Sequence, residues 1–145
     1  QMPHAIAISA VAPIGWGVDA SVSLDNLASY SNYGRSVVDF AAPGGDASYP
    51  GNENCLVGGI LRACYVFDFV FSTGGQQGAS HFNYWSAGTS MAAPHAAGIA
   101  ALIIGEHGGS MHPGQVKTEM ARRAFDLGQP GNDPAYGLGR VSSGY

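Results

Sequence analysis

Ser90 is the residue in this chain whose type and position could carry chemistry. It follows the flexible pair Ala87-Gly88 and precedes a run of small apolar residues that predicts a helix, beginning about where Pro94 is tolerated in a first turn. A serine at the mouth of a helix lies among unpaired backbone N–H groups, which together with the helix dipole can stabilise an oxyanion. Ser90 could then attack a carbonyl carbon if a general base lies within hydrogen-bond reach. Because such a turn is also typical of a plain helix N-cap, the turn alone leaves two interpretations open.

A longer motif around Ser90 favours the catalytic interpretation. Within the nucleophile segment, residues 86–104, the chain reads Gly88-Thr89-Ser90-Met91-Ala92-Ala93-Pro94-His95. This string resembles the nucleophile motif of the subtilisin-like serine peptidases, or subtilases. Residues 28–34 and 38–44 resemble the segment that precedes the nucleophile in that family, and residues 5–11 and 136–141 resemble two further parts of it. The resemblance covers nearly the whole chain, but only the C-terminal half of a subtilase catalytic domain.

The resemblance implies both a fold and a reaction. The fold would be α/β, part of a parallel-sheet subtilisin-like fold with helices packed on the sheet, and residues 1–145 would form a single unit within it. Ser90 would be the nucleophile of a serine endopeptidase that hydrolyses peptide bonds through an acyl-enzyme, with its own backbone N–H in the oxyanion hole. The residues expected to be structural near the site are Gly88, Thr89, Pro94 and His95.

A base for Ser90 is hard to find within the chain. In subtilases the histidine, the aspartate and the oxyanion asparagine all precede the strand at 5–11, so here they would lie before Gln1. His95 comes five residues after Ser90, about 140° around a helix at ~100° per residue, so we expect its ring to point away and to be buried and hydrogen-bonded. His81 lies in a loop that could fold back, but no nearby carboxylate would orient its ring.

Short apolar runs predict the strands that must position Ser90. We expect strands at 5–11, 37–41, 65–71 and 82–85, with a flexible loop at 72–78. By the same resemblance, the Met2–Pro3 bond could be cis. Half of a parallel sheet would leave a buried-type strand as an open edge, which predicts that the isolated chain dimerises, swaps elements or binds its missing half.

Two helices complete the prediction. The helix after Ser90 should end near Gly105 and lie buried in the core. Pro113 opens a second helix that runs to about Phe125. Its core-facing stripe is predicted to be Val116, Met120, Ala124 and Leu127.

Cys55 and Cys64 are the only cysteines, and a disulfide between them is the leading interpretation. Glycines between them would let a hairpin bring the two together, and such bonds persist in oxidising compartments. Two buried free thiols are the alternative. No cofactor is expected, although the resemblance places a weak cation site, with calcium as a candidate, near Asp39. The acidic partner that some subtilases have there is Val37 in this chain.

Composition argues against several functional classes. Charged residues make up 11% of the chain, the net charge is −4, and no run of Lys or Arg is present, which speaks against a nucleic acid or membrane-surface partner. No stretch approaches the roughly 20 apolar residues of a membrane span. Low charge and mild acidity suit a secreted, extracellular hydrolase. Because the chain begins with Gln and has no signal peptide, we expect a processed or excised piece of a longer protein.

Two functional hypotheses follow. In the first, the chain is the nucleophile-bearing half of a secreted endopeptidase that acts on protein or peptide substrates when joined by its missing N-terminal half or by a second copy of the chain. In the second, it is a catalytically incomplete folding or interaction module, or a weak serine esterase. The motifs favour the first hypothesis, and the missing triad partners favour the second.

Overall fold

Three strands form the sheet on which the first helix packs. The computed structural model describes residues 5–144, and in it these strands are β1 (Ile8–Ala12), β2 (Asn26–Leu27) and β3 (Phe40–Pro43). Their order is β2-β1-β3, with β1 and β3 parallel and β2 antiparallel to β1. The α/β class is therefore as predicted, and the parallel pair β1–β3 is the part of the sheet nearest to the expected subtilisin-like arrangement.

The predicted strands begin later than the apolar runs suggested. β1 starts at Ile8 rather than at residue 5, and β3 starts at Phe40 rather than at residue 37. The reason is local: the Asp39 carboxylate accepts the Ala7 N–H at 2.9 Å, so a side chain takes the place of a strand hydrogen bond. Val37 lies in a turn closed by its N–H to the Gly34 carbonyl. The Met2–Pro3 bond lies outside the described residues.

Helix α1 (Thr89–Glu106) packs on β1 and β3, and helix α2 (Pro113–Arg123) packs on α1. Small side chains on α1, such as Ala92 and Ala96, let the helix approach the sheet closely enough to cover Phe40, which is fully buried. Burial of a side chain of this size contributes about 2–3 kcal/mol. The remaining buried members of the core are Ala10, Ala28, Ala42, Ile103, Val116, Met120 and Val141.

Helix α2 begins as predicted and ends two residues early. Pro113 occupies a first-turn position, where its missing N–H costs nothing, and His112 and Gln115 form a capping box before it. Val116 and Met120 are buried as expected. The other two residues of the predicted stripe, Ala124 and Leu127, lie beyond the helix and are half-buried.

Helix α1 departs from its prediction in position and burial. It begins at Thr89, so Pro94 lies inside the helix and removes the backbone bond to the Ser90 carbonyl. The helix was expected to be buried, but only Ala92, Ala96 and Ile103 are buried. The face opposite the sheet is exposed, and Leu102 on it is 56% exposed. An apolar helix with one uncovered face normally buries that face against another element.

Two hairpins follow β3, and the first carries the disulfide. Strands β4 (Asn54–Val57) and β5 (Ile60–Ala63) pair antiparallel, and both glycines of the intervening turn have positive φ, as a two-residue hairpin turn requires. The hairpin brings Cys55 to Cys64, and the structure contains the predicted disulfide between them.

The second hairpin corrects two predictions. Of the predicted strand 65–71, only Val70 and Phe71 lie in a strand. Cys64–Asp68 is instead a 3₁₀ helix, whose last residue turns its carboxylate toward the Gly15 and Trp16 N–H groups at 2.7 and 2.8 Å. The predicted loop 72–78 is largely strand β6 (Val70–Gln77), which pairs antiparallel with β7 (Ser80–Ser86). Pairing with β7 overrides the low strand propensity of the glycines and glutamines in β6.

Candidate active site

The turn before α1 places Ser90 with its hydroxyl group accessible. Ser90 is the second residue of α1 and is exposed. Gly88 occupies the N-cap position with φ 153° and ψ 159°, a conformation that is essentially restricted to glycine. No side chain caps the helix, so the first-turn N–H groups, including that of Ser90, point out of the helix end. Ser90 lies after the cap position, so it is not a helix N-cap, and the free N–H groups favour the binding of an oxyanion.

The carbonyl of Gly44, just after β3, holds the turn in place. It accepts the Gly88 N–H at 2.8 Å, and the Tyr30 hydroxyl lies 3.0 Å from it and 2.6 Å from the Gly45 carbonyl. A Cβ at Gly44 would lie 2.5 Å from Ala10 Cβ, so a larger residue does not fit there. The end of the sheet and the start of α1 are thus joined through one backbone carbonyl.

Buried Asp46 supports the segment that carries Tyr30. Its carboxylate accepts the Ser29 N–H at 2.6 Å, the Ser29 hydroxyl at 2.9 Å and the Ala47 N–H at 2.7 Å. Burial alone would raise the pKa of Asp46, but these hydrogen bonds outweigh it and hold that pKa below its usual value. Burial and the Asp46 charge raise the pKa of Tyr30, so Tyr30 remains a neutral donor.

A cavity of about 280 Å³ opens beside Ser90, between α1 and the β6–β7 hairpin. Apart from a histidine, its lining carries no charged group; the residues that line it with Ser90 are Val70, Ser72, Tyr84, Met91, Pro94 and His95. A serine hydroxyl at the wall of a mostly apolar cavity is an arrangement in which a bound chain could be attacked.

Within residues 5–144, no histidine side chain forms a hydrogen bond with Ser90. His95 Nδ1 lies 2.7 Å from the Met91 carbonyl, and because a carbonyl can only accept, this nitrogen carries the proton. The hydrogen bond was expected, but His95 is exposed rather than buried. His81 lies on β7, not in a loop, and is exposed.

Asp39 is poorly suited to hold a cation. Its Oδ1 lies 2.6 Å from Lys117 Nζ, and its Oδ2 accepts the Ala7 N–H. Val37, at the position where a second acid would be needed, is 54% exposed and has no ligand atom. Within residues 5–144, no group of three or more acidic, histidine or cysteine side chains is placed to bind a metal ion. The donors around Asp39 therefore do not fit calcium, which prefers six to eight oxygen ligands.

Comparison with known proteins assigns the family. The sequence model of the Subtilase family, Peptidase_S8, matches residues 1–139. This chain belongs to the subtilase family. A solved lanthipeptide protease is 29% identical with a TM-score of 0.70, and the match covers 99% of this chain and 42% of that one. A protease from Pseudoalteromonas arctica PAMC 21717 is 28% identical with a TM-score of 0.64, over 98% of this chain and 34% of that one.

A more distant structure supports the fold alone. The epidermin leader peptide processing serine protease from Staphylococcus aureus is 22% identical with a TM-score of 0.70, and the match covers 99% of this subtilase chain and 30% of that protein. The chain thus spans less than half the length of the solved structures to which it is similar. Neither helix of its described part is long and apolar enough to cross a membrane.

Sequence reasoning missed the residues that position Ser90 from a distance. Tyr30 and Gly44 lie within the strings that resemble the family, but nothing in their spacing shows that they meet at one carbonyl. Asp46 stood in a turn-rich segment and gave no signal. The Ser90 cavity was also unforeseen, because the strand that contributes Val70 and Ser72 to it was predicted partly as a loop.

Proposed function

We propose that this chain is the nucleophile-bearing part of a serine endopeptidase that cleaves protein or peptide substrates. Ser90 Oγ would bond to the substrate carbonyl carbon while its proton passes to a base, and the C–N bond would then break as the amine takes that proton. Water would then attack the acyl carbon while the base takes its proton, and the bond to Ser90 Oγ would break as Ser90 takes that proton back. The observation that carries the proposal is the exposed Ser90 at an uncapped helix start, beside a cavity, in a chain of the subtilase family.

The base and its orienting carboxylate would come from another segment of the peptidase domain. The supporting observation is the uncovered face of α1. Apart from Ser90, His95 and Glu106, its exposed residues are small or apolar: Ala93, Pro94, Ala97, Gly98, Ala101, Leu102 and Gly105. A helix surface of this kind normally lies against other elements, because leaving it in water forfeits its burial energy. The missing N-terminal half is therefore the favoured partner, and a second copy of the chain is the alternative.

Covalent labelling of Ser90 tests this function. A serine-directed fluorophosphonate is added to the chain alone and to the chain supplied with the proposed first half of the domain, and adducts are located by peptide mass spectrometry, with Ser90→Ala as the control. We expect labelling at Ser90 only in the completed domain. Labelling of the chain alone that is lost in His81→Ala or His95→Ala would instead favour an internal base and a weak esterase. No labelling in either sample would favour a non-catalytic module.

We further propose that the protein works without a bound metal at Asp39 and outside the cell. The Lys117 ammonium already neutralises the Asp39 carboxylate, which supports the first point. The Cys55–Cys64 disulfide supports the second, because such bonds persist in oxidising compartments. Activity that a calcium chelator leaves unchanged would agree with the first point. Native protein in the culture medium with this disulfide intact would agree with the second. Retention in the cytoplasm would contradict the second.

A further inference from the structure

The β6–β7 hairpin has an anchored face and a free face, because successive strand residues point to opposite sides. Phe71 and Trp85 lie opposite each other on the anchored face, with ring centroids 4.6 Å apart. Trp85 also meets Phe67 edge-on at 6.3 Å, and the Arg62 guanidinium carbon lies 5.9 Å from its ring centroid. These contacts fix the hairpin to the 3₁₀ helix and to β5.

The free face begins at Ser90 and leads away from it. Val70, Ser72 and Tyr84 line the Ser90 cavity, and Ser72 lies directly opposite Tyr84 in the strand register. Phe82 lies two residues before Tyr84 on β7, farther from Ser90 and opposite the point where the register of β6 shifts between Thr73 and Gln76. Its ring lies over Gly74, two residues after Ser72 on β6, so it continues the face that Ser72 and Tyr84 share. Two aromatic side chains therefore follow the cavity in one line, and we call Tyr84 and Phe82 the aromatic shelf.

Small residues on β6 keep the aromatic shelf open. Ser72 faces Tyr84, and the Phe82 ring lies across Gly74, where a Cβ would come within 2.6 Å of Phe82 Cδ2. Tyr84 is 43% exposed and Phe82 is 49% exposed. An aromatic ring that is already positioned but still half exposed can bind another side chain at low entropic cost.

The charge of the hairpin indicates what it would bind. Residues 70–86 contain no Asp, Glu, Lys or Arg, and His81 is the one histidine among them. Burying a charged side chain here would leave it without a partner, whereas an apolar or aromatic side chain would gain contact with both rings. The free face therefore suits apolar and aromatic side chains.

We propose that the aromatic shelf is a substrate-binding surface that selects an apolar or aromatic side chain of the peptide near the bond attacked by Ser90. This inference rests on the proposed endopeptidase function. The substrate peptide is the expected occupant because the shelf is continuous with the cavity that contains Ser90. Tyr84 and Phe82 are specificity-determining residues in this proposal and take no part in the bond-breaking step.

The test compares matched peptides and matched variants in the complete peptidase domain. A mixture of peptides that differ by Phe or Ala at each position flanking the scissile bond is digested, and kcat/KM ratios are obtained by mass spectrometry. We expect a Phe preference at one position that falls about 3- to 10-fold in Tyr84→Thr and in Phe82→Thr. Thr keeps a high strand propensity, so the hairpin should still fold. Tyr33→Thr, a change at a 72% exposed tyrosine outside the hairpin, should leave the preference unchanged.

Failure of this inference can be separated from failure of the proposed function. A domain that cleaves peptides with the same Phe preference in all three variants would overturn the aromatic shelf and leave the peptidase intact. If no peptide is cleaved, binding of the Phe and Ala peptides to Ser90→Ala is measured by fluorescence anisotropy, with and without Tyr84→Thr. Tighter binding of the Phe peptide that is lost in Tyr84→Thr would support the shelf, and equal binding of both peptides would overturn it.

Discussion

Replacing Gly44 by alanine should disturb Ser90 without touching it. The added Cβ would lie 2.5 Å from Ala10 Cβ and 3.0 Å from both the Gly88 carbonyl oxygen and the Tyr30 hydroxyl oxygen. Apolar carbons normally approach to about 3.5–4.0 Å, so relief of the Ala10 contact needs a shift of about 1 Å. Because the Gly44 carbonyl holds the Gly88 N–H, this shift would pass directly to the turn before Ser90.

The size of the effect follows from that shift. Misplacement of a reacting group by about 1 Å can lower a rate by about 100-fold, which corresponds to about 2.7 kcal/mol of activation free energy. Overpacking of this kind typically costs another 1–3 kcal/mol of folding stability. Gly44→Ala should therefore lower the rate of Ser90 labelling by fluorophosphonate by about 100-fold at a temperature where the domain is still folded.

Two further variants identify the cause. Gly114→Ala, on the exposed start of α2, adds the same methyl group where the nearest atom is 3.4 Å away, and it should label at the normal rate. Ala10→Gly in the Gly44→Ala background removes the 2.5 Å contact but leaves the two 3.0 Å contacts, so it should restore the rate in part. Normal labelling of a folded Gly44→Ala domain would refute the view that this carbonyl positions Ser90.

Three other changes test the supports of the fold. Asp46→Asn should lower the free energy of unfolding by about 2–4 kcal/mol at neutral pH, because a buried carboxylate loses charge-assisted hydrogen bonds. The folded-state pKa of Asp46 is lowered from 3.8, so the stabilisation by its carboxylate is complete above that value and is lost as the pH falls below it. The free energies of unfolding of variant and wild type should therefore converge as the pH falls below about 4. A difference in stability that stays constant with pH would contradict the reasoning. The pair of changes Cys55→Ser and Cys64→Ser should cost about 2.5 kcal/mol in chemical denaturation by the loop-entropy relation, while reduction of the wild type should give the same loss. Lys117→Met should lower the free energy of unfolding by about 1 kcal/mol, because the Asp39 carboxylate loses its cationic partner; equal stability of variant and wild type in chemical denaturation would contradict a stabilising role for this ion pair.

The sequence predicted the family and the disulfide, since these depend on local strings and on a cysteine pair. It predicted strand positions less well because side chains compete with the backbone ladder. The Asp39 carboxylate replaces a strand bond at Ala7, and the buried Asp68 carboxylate accompanies a 3₁₀ turn in an aromatic run that was expected to be a strand. Neither effect can be inferred from hydrophobic periodicity, which reports burial and not the partner of each polar group.

Strand β6 shows a second limit of local patterns. Apart from Thr73, its residues Ser72–Gln77 do not favour a strand, and pairing with β7 stabilises them more than their composition does. The predicted loop concealed part of the cavity, because Ser72 lies opposite Tyr84 only as a strand residue. The proposed substrate contacts therefore involve strand β6, the element that the sequence predicted least well.

The position of Ser90 depends on backbone groups more than on side chains. Gly88 reaches its N-cap conformation because it has no Cβ, and its N–H donates to the carbonyl of Gly44. Gly44 is itself a position where a Cβ does not fit. This backbone hydrogen bond involves no side chain of the β6–β7 hairpin; the side chain that reaches the same carbonyl is that of Tyr30, on another segment. In the proposed peptidase, the exposed rings of the hairpin could therefore change, and with them the substrate preference, without moving Ser90. The proposed nucleophile and the proposed binding surface would then be separable parts of one site.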